Sequence, residues 1–320
     1  MDTNSVPHLP ETPAEPRPLK AYLYLHASVL LFGLTAVLGG LISLREGPLV
    51  WWRMVISSGA FMLGWALRRP QHWPGWRDLL RLGGIGAVLM VHWLLFYGSI
   101  KVSAVSVTLV CIASGALFTA VLEPLWFGRK VQRQELVLGV LVVVGIALVF
   151  NFKPEYVLGI VLALLSAVLS AVYGVLNKQV AGNYSPYVLN GVQLTGGALV
   201  LTAVLPFWLH LEPSHAFWPT PLDWVWLLLL SLLCTNFAYT LNLAALRDLS
   251  AFSVMLAINL EPLYGIALAV AFLGEARELG PGLLLGGTLV LGAVFIQPLL
   301  SPRFRKRLRR RRIPPQPPVG

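Results

Sequence analysis

Ten long stretches of apolar residues run along the chain: 21–44, 49–67, 79–100, 104–126, 135–151, 157–180, 187–209, 222–245, 251–273 and 281–300. A helix needs about 20 mainly apolar residues to cross a ~30 Å hydrocarbon core, and each stretch approaches or exceeds that length. Short segments of alternating hydrophobicity would predict an outer-membrane barrel. These runs are continuous, which predicts helices instead. The connections are short and carry helix breakers or charges, as in Arg45-Glu46-Gly47-Pro48 and Asn151-Phe152-Lys153-Pro154. The pattern predicts an all-α polytopic membrane protein with ten transmembrane helices. Residues 1–20 contain Pro7, Pro10, Pro13, Pro16 and Pro18, and residues 301–320 are Arg-rich and then Pro-rich. Both ends are expected to be disordered, and without an apolar core in the first twenty residues no cleavable signal peptide is expected.

Composition narrows the class. Hydrophobic residues make up 57% of the chain and charged ones 12%, against roughly 45–50% and about 25% in soluble domains. So few charges exclude an ordinary cytosolic enzyme, and the high hydrophobicity excludes disorder over most of the chain. Cys111 and Cys234 both sit in apolar runs and read as small core residues, without metal or disulfide spacing.

The net charge of +10 raises the question of a nucleic-acid partner, and the placement of the charges answers it. With ten spans both termini share one side. Nineteen of the 24 basic residues fall there: Arg17, Lys20, Arg68, Arg69, Arg77, Arg81, Arg129, Lys130, Arg133, Lys178, Arg247 and eight between Arg303 and Arg312. The other side has Arg45, Lys101, Lys153 and Arg277, and Arg53 is left within a span. The positive-inside rule then places both termini in the cytoplasm, with a bacterial plasma (inner) membrane as the expected location. The cluster after the last span suits anionic lipid headgroups, at about 1 kcal/mol per residue near the surface. No nucleic-acid partner is expected.

The chain also resembles itself. Ser28 to Pro48 matches Ser166 to Pro186 at an offset of 138, and Ser103-Ala104-Val105-Ser106-Val107 matches Ser250-Ala251-Phe252-Ser253-Val254 at an offset of 147. Gly139 and Gly145 match Gly286 and Gly292 at the same offset. Residues 21–151 and 152–300 therefore read as two five-span repeats. Because five is odd, the repeats would cross the membrane in opposite senses, giving the two inverted five-helix repeats known from secondary transporters. Duplication for stability alone is the alternative.

On these features the sequence resembles the EamA type of the drug/metabolite transporter superfamily. The match is carried by Pro48 with Arg53, by the Ser-Ala-x-Ser starts of the fourth and ninth spans, by Pro262 through Phe272-Leu273-Gly274-Glu275, and by Gly286 and Gly292. Repeat one departs from it. It lacks the mid-span proline, with Gly115 near that position, and reads Phe127-Gly128-Arg129 where the family favours Gly-Glu. The resemblance implies a carrier whose cavity is lined mainly by spans one, three, four, six, eight and nine. The family's substrates range over amino acids, sugars, nucleotide-sugars, toxic cations and other metabolites, so the cargo stays open.

An ionisable group inside the membrane costs at least about 2.5–3.5 kcal/mol on insertion scales and so calls for a reason. Glu261 lies mid-way along the ninth span beside Pro262, where the proline loosens the preceding turn. It can bind a cationic group or carry a proton, or it can be a structural carboxylate paired with Arg53. Arg53 can grip a carboxylate or phosphate, snorkel to the interface, or lock helices together. Its repeat-related position is Gly191.

The remaining candidate substrate contacts are His92 and Trp93 on span three, Tyr173 on span six, Asn236, Tyr239 and Asn242 on span eight, and Asn259 and Tyr264 on span nine. Asn236, Tyr239 and Asn242 recur every third residue along one helix face. Helix–helix hydrogen bonding is the competing role for the asparagines. For His92 and Trp93 it is an interfacial or lipid-facing position, and His26 reads as a satisfied core residue. Glu123, near Arg129 and Lys130, reads as solvated at the interface. Gly282 and Gly286 form a GxxxG suited to a homodimer or to packing within the chain.

No GxxxxGK[ST], GxSxG or HExxH occurs in the sequence, so ATP-driven pumping, cofactors and catalytic metals are not expected. The leading expectation is a secondary transporter of small organic metabolites, exporting them by alternating access between the repeats. A polytopic enzyme acting on lipid-linked substrates is the alternative, and a ten-helix scaffold a third.

Overall fold

A computed structural model describes residues 18–300 apart from 68–71, 132–136, 139, 143, 146, 149–153, 212–215, 250, 259 and 279. The two tails, the loop arginines Arg68, Arg69 and Arg133, and much of the expected fifth span lie outside the described residues. Every regular element among those described is helical. In chain order these are α1 (Pro18–Leu41), α2 (Glu46–Leu67), α3 (Trp76–Val102), α4 (Val105–Ile112), α5 (Gly115–Trp126), α6 (Val157–Val180), α7 (Pro186–Leu211) and α8 (Pro221–Leu228). A π-helical stretch, Leu229–Phe237, joins α8 to α9 (Ala238–Asp248), followed by α10 (Ala251–Ile258), α11 (Glu261–Leu273) and α12 (Pro281–Leu300).

Six of the described stretches are long and apolar enough to cross a membrane: Leu19–Leu41, Trp76–Val102, Val105–Trp126, Val157–Val180, Pro186–His210 and Pro221–Asp248. Glu261–Leu273 and Pro281–Ala293 are apolar but shorter. Helix α2 has 22 residues, but Arg53 and its tryptophans lower its mean hydropathy. Large side chains such as Leu63, Leu80, Leu199, Phe207 and Phe272 stand exposed around the bundle. An outer surface this apolar suits lipid rather than water.

The helix ends follow from local chemistry. Pro221 opens α8 at a position where its missing N–H costs nothing, and Thr220 and Asp223 cap that end reciprocally. Gly274 closes α11 in the left-handed conformation, at φ 69°, a backbone that residues with a Cβ rarely adopt. At the far end of α6, the Lys178 ammonium donates to the carbonyls of Leu246 and Leu249, at 2.7 and 2.6 Å. A cation there complements the exposed carbonyls at the end of α9.

The repeat expected from the sequence governs the packing. Helix α1 packs on the π-helical stretch, α9, α10 and α11, while α6 packs on α3, α4 and α5. Helices α2 and α7 pack on each other. Exchanging the repeats maps each of these contacts onto its counterpart. Close approach of α3 and α7 depends on glycines: a Cβ on Gly86 would strike the Gln193 backbone carbonyl, and one on Gly196 the Gly83 backbone. Gly286 has a role of the same kind within the chain, since a Cβ on Gly145 would lie 2.8 Å from its carbonyl oxygen.

Candidate functional site

The unit between α4 and α5 and that between α10 and α11 occupy the same place in the two repeats. Helix α4 ends at Ile112 and α5 begins at Gly115, whereas α10 ends at Ile258 and α11 begins at Glu261. The break in repeat one forms without a proline. There Ser114 turns its hydroxyl back to the Cys111 carbonyl at 2.6 Å, competing with the backbone ladder as serine does. In repeat two Pro262 removes the backbone donor.

These two breaks face one cavity of about 60 Å³, lined by Phe32 and Thr35 of α1, His92, Trp93 and Phe96 of α3, Ile112 of α4, Ser170 of α6, Tyr239 of α9, Met255 and Ile258 of α10, and Glu261 of α11. The six spans that the resemblance pointed to all contribute. The volume is well below the ~300–1,000 Å³ of pockets that hold drug-sized ligands, so the cavity is closed down around its side chains. Its wall is mostly aromatic and aliphatic, with Glu261, His92, Thr35, Ser170 and the Tyr239 hydroxyl as polar groups.

Arg53 stands behind this wall and is fully buried, so it does not snorkel. Its Nε donates to Thr235 Oγ1 at 2.7 Å and its Nη1 to the Tyr97 hydroxyl at 2.6 Å. The guanidinium carbon lies 3.6 Å from the centre of the Trp93 ring, a cation–π contact inside a low-dielectric core. Its Nη2 is buried without a hydrogen-bond partner. The π-helical stretch makes this arrangement possible. Its wider turn lets Thr235 donate to the Leu230 carbonyl five residues back, at 2.7 Å, while Thr235 Oγ1 accepts from Arg53. Departures of this kind recur at functional sites. The pairing of Arg53 with Glu261, one of the alternatives for that carboxylate, is absent: no ion pair within 4 Å joins them among the described residues. Arg53 ties α2 to α3 and to the π-helical stretch instead, and Glu261 faces the cavity, 8% exposed.

Trp93 is 2% exposed, which overturns the expected interfacial or lipid-facing position. Its indole N–H donates to the Tyr239 hydroxyl at 3.1 Å. His92 Nδ1 lies 2.8 Å from Ser166 Oγ and 2.9 Å from the Ser166 carbonyl, so α6 fixes the ring. Tyr173 lies beside Tyr239, at 6.2 Å between ring centres, but its hydroxyl donates to Gln193 Oε1 at 2.9 Å. Asn236 donates to the Ser57 carbonyl at 3.1 Å and joins two helices, away from the cavity lining. Asn242 is buried with its Nδ2 unpartnered, also outside the lining. Tyr264 is 42% exposed on the outer surface. Asn259 lies outside the described residues. His26 is exposed rather than in the core, and Glu123 is buried rather than solvated at the interface.

The sequence did not single out Phe32, Thr35, Phe96, Ile112, Ser170, Met255 or Ile258 as cavity residues. They read as ordinary span residues, and only the packing of six helices turns them inward. Glu275 was noted as part of a motif without a role. Its carboxylate accepts from the backbone N–H groups of Val105 and Ser106, both at 3.0 Å, and from the Ser106 hydroxyl at 2.9 Å. It therefore caps α4 of the other repeat, where a negative charge is favoured by the helix dipole.

A profile of the EamA-like transporter family matches residues 19–151 and again 157–297. The chain belongs to the EamA-like transporter family. It is a multi-pass membrane protein of the drug/metabolite transporter superfamily, built from two inverted EamA repeats. The two matched segments carry the interrupted pairs α4/α5 and α10/α11, one in each. A solved structure, described only as the crystal structure of a protein, superposes with a TM-score of 0.63 at 19% sequence identity, covering 89% of this chain and 99% of that one. That likeness supports the fold. No curated protein matches the sequence significantly.

Proposed function

We propose that this EamA protein is a secondary exporter of small organic metabolites that works by alternating access between two inverted five-helix repeats. The supporting observation is the cavity between the repeats. Both repeats line it, both interrupted helices end on it, and Glu261, the one acidic group among its described lining residues, has no ion-pair partner among the described residues. Ten membrane crossings, both termini in the cytoplasm and a bacterial inner membrane complete the proposal, resting on the span count and on the 19-to-4 division of loop charges.

In this scheme the solute occupies the space between α1, α3, α6 and α9, with the aromatic wall of Trp93, Phe96 and Tyr239 excluding water. Glu261 neutralises a cationic group or takes up a proton on each cycle. Arg53 acts from behind: stacked on Trp93 and bonded to Tyr97, it holds the wall in place rather than touching the solute. Asn236 and Asn242 act as structural hydrogen-bonding residues. The basic tail engages anionic headgroups of the cytoplasmic leaflet.

Purified protein in liposomes tests the proposal through uptake and counterflow of a broad panel of labelled amino acids, amines and organic acids. Saturable flux of at least one solute is expected, with Glu261→Gln reducing it at least 10-fold. Absence of flux across the panel, with the protein correctly inserted, would overturn the transporter assignment. A thiol probe at Val319→Cys tests orientation: reaction with an impermeant reagent from outside intact cells would overturn the cytoplasmic termini.

A further inference from the structure

Two carboxylates occupy corresponding places at opposite ends of the molecule. Asp78 is the third residue of α3, and Asp223 is the third residue of α8, the helix that begins the matching unit of repeat two. Each reaches across to the other repeat. Asp223 holds the α1–α2 connection of repeat one: its Oδ1 accepts from the Ser43 backbone N–H at 2.7 Å, and its Oδ2 from the Ser43 hydroxyl at 2.6 Å. Asp78 holds the α6–α7 connection of repeat two, with its Oδ2 accepting from the Tyr184 hydroxyl at 2.5 Å. The connections correspond as the helices do, although the bonded residues differ: at the offset of 138 Ser43 matches Ala181 and Tyr184 matches Glu46.

The two contacts lie at opposite ends because α1 and α3 run alike. Lys101, in the last turn of α3, donates to the Ile42 carbonyl just beyond α1. The start of α3 is therefore far from the end of α1. The Asp223 end carries Arg45 and Lys101, and the Asp78 end carries Arg77, Arg81, Lys178 and Arg247.

The contacts differ in strength. Asp223 is 2% exposed and also accepts from the Thr220 N–H and hydroxyl, at 3.0 and 2.7 Å. Charge-assisted bonds are the strong kind, and Asp223 makes two of them to Ser43, which is itself exposed. Trp52 closes the same end. Its indole N–H donates to the Phe217 carbonyl at 3.0 Å, and its ring lies 4.9 Å from Trp224 and 5.6 Å from Trp218. At the other end Asp78 and Tyr184 are only half-buried and share one bond. Tyr184 lies on the wall of an open recess of about 760 Å³, with Tyr187, Asn183 and Arg247 around it. Its hydroxyl is held above the usual phenol range, first by the hydrogen bond to Asp78.

We propose that Asp223–Ser43 and Asp78–Tyr184 are equivalent gating contacts, one at each mouth of the cavity, that break alternately during transport. In this structure Asp223 holds Ser43 through two bonds, whereas Asp78 holds Tyr184 through one, with Arg81 donating to Gln179 Oε1 at 2.6 Å beside it. Alternating access demands such a pair, because a carrier whose two closures were independent of the repeats would have no reason to open one as the other shuts. The assignment rests on the transporter proposal, but its test reads accessibility and not flux.

The test places Ser170→Cys in the cavity wall of a chain carrying Cys111→Ala and Cys234→Ala, and measures labelling by an impermeant maleimide in right-side-out and inside-out vesicles. Ser43→Ala and Asp223→Ala are expected to raise labelling from the side bearing Lys101 at least 3-fold and leave the other side unchanged. Tyr184→Phe is expected to raise it at least 3-fold from the side bearing Arg247 alone. Ser43→Ala keeps the Thr220–Asp223 cap, so the experiment stands if Asp223→Ala fails to fold. Rates that stay at the parent value in Ser43→Ala and Tyr184→Phe, or that rise on the same side in both, would overturn the proposal. Absence of liposome flux with opposite-sided accessibility intact would count against the transporter assignment and leave the gating contacts standing.

Discussion

The two repeats trace the same path and surround the cavity with different chemistry. In repeat one the helix pair α2–α3 buries a cation: Arg53 lies on the Trp93 ring and bonds Tyr97, and it crosses to Thr235 of repeat two. In repeat two the position matching Arg53 is Gly191, where a Cβ would run into the Trp65 ring. The polar bonds nearby are uncharged: Tyr173 to Gln193 at 2.9 Å and Gln193 to Asn177 at 2.7 Å. The carboxylate Glu261 belongs to repeat two, and Ser114 stands at the corresponding place in repeat one. Duplicated backbone geometry thus needs only helix length and small residues at crossings, while the groups facing a solute are free to diverge. A symmetric scaffold can exchange conformations and still offer an asymmetric site.

The largest expected effect comes from breaking the cationic half. Arg53→Leu leaves the Tyr97 and Thr235 hydroxyls without their charged partner and removes the stack on Trp93. Hydrogen bonds to charged groups contribute about 1.5–3 kcal/mol each, so a loss on the order of 3 kcal/mol is expected, read as a lower unfolding temperature in detergent together with abolished flux. Arg53→Lys, which can bond one hydroxyl but not stack as a plane, should recover stability more than flux. Wild-type stability in Arg53→Leu would remove the cationic hub from the comparison.

Next in size is the crossing that both repeats share. A Cβ at Gly86 meets the Gln193 carbonyl, which is backbone and cannot rotate away. Overpacking of this kind costs typically about 1–3 kcal/mol, so Gly86→Ala should destabilise the protein. Gly84→Ala, where nothing lies within 4 Å of the added methyl, should be neutral. Equal unfolding temperatures for the two would place the α3–α7 contact elsewhere.

A smaller effect is expected from Glu275→Gln. It weakens the charge-assisted cap on α4, worth about 0.5–2 kcal/mol as helix caps go, and should lower the unfolding temperature by a few degrees. Ser166→Ala removes the hydroxyl contact to the His92 ring and leaves the one to the residue-166 carbonyl; it is expected to change substrate affinity more than maximal rate, with stability nearly unchanged. A pure stability loss there would make His92 a structural residue.

Much of the fold was legible from the chain alone. Continuous apolar runs, short breaker-rich connections and the self-match at offsets of 138 and 147 carry over into the helices, with the interruptions in the fourth and ninth stretches falling at equivalent places. The site was legible in part. Glu261, Tyr239, Trp93 and His92 stood out as polar or aromatic groups inside apolar runs, and they line the cavity together. Tyr264, Asn236 and Asn242 stood out for the same reason and do not, because periodicity tells which residues share a face but not what that face meets. Phe32, Ile112, Met255 and Ile258 carried no signal, since in a membrane helix an apolar side chain is equally at home against lipid or cavity.

The sequence by itself determined the medium, the helical class and the repeat, and its charge division sets the expected orientation. Each of these is written in local quantities: run length, hydropathy, charge count and self-similarity. Only the tertiary structure decided that Arg53 stacks on Trp93 instead of pairing with Glu261, that Gly286 meets Gly145, and that Asp223 and Asp78 hold each other's repeats. Those outcomes join residues 40 to 180 positions apart through ångström-scale packing. Hydrophobicity, being non-directional, drives the helices together without choosing which polar atoms meet.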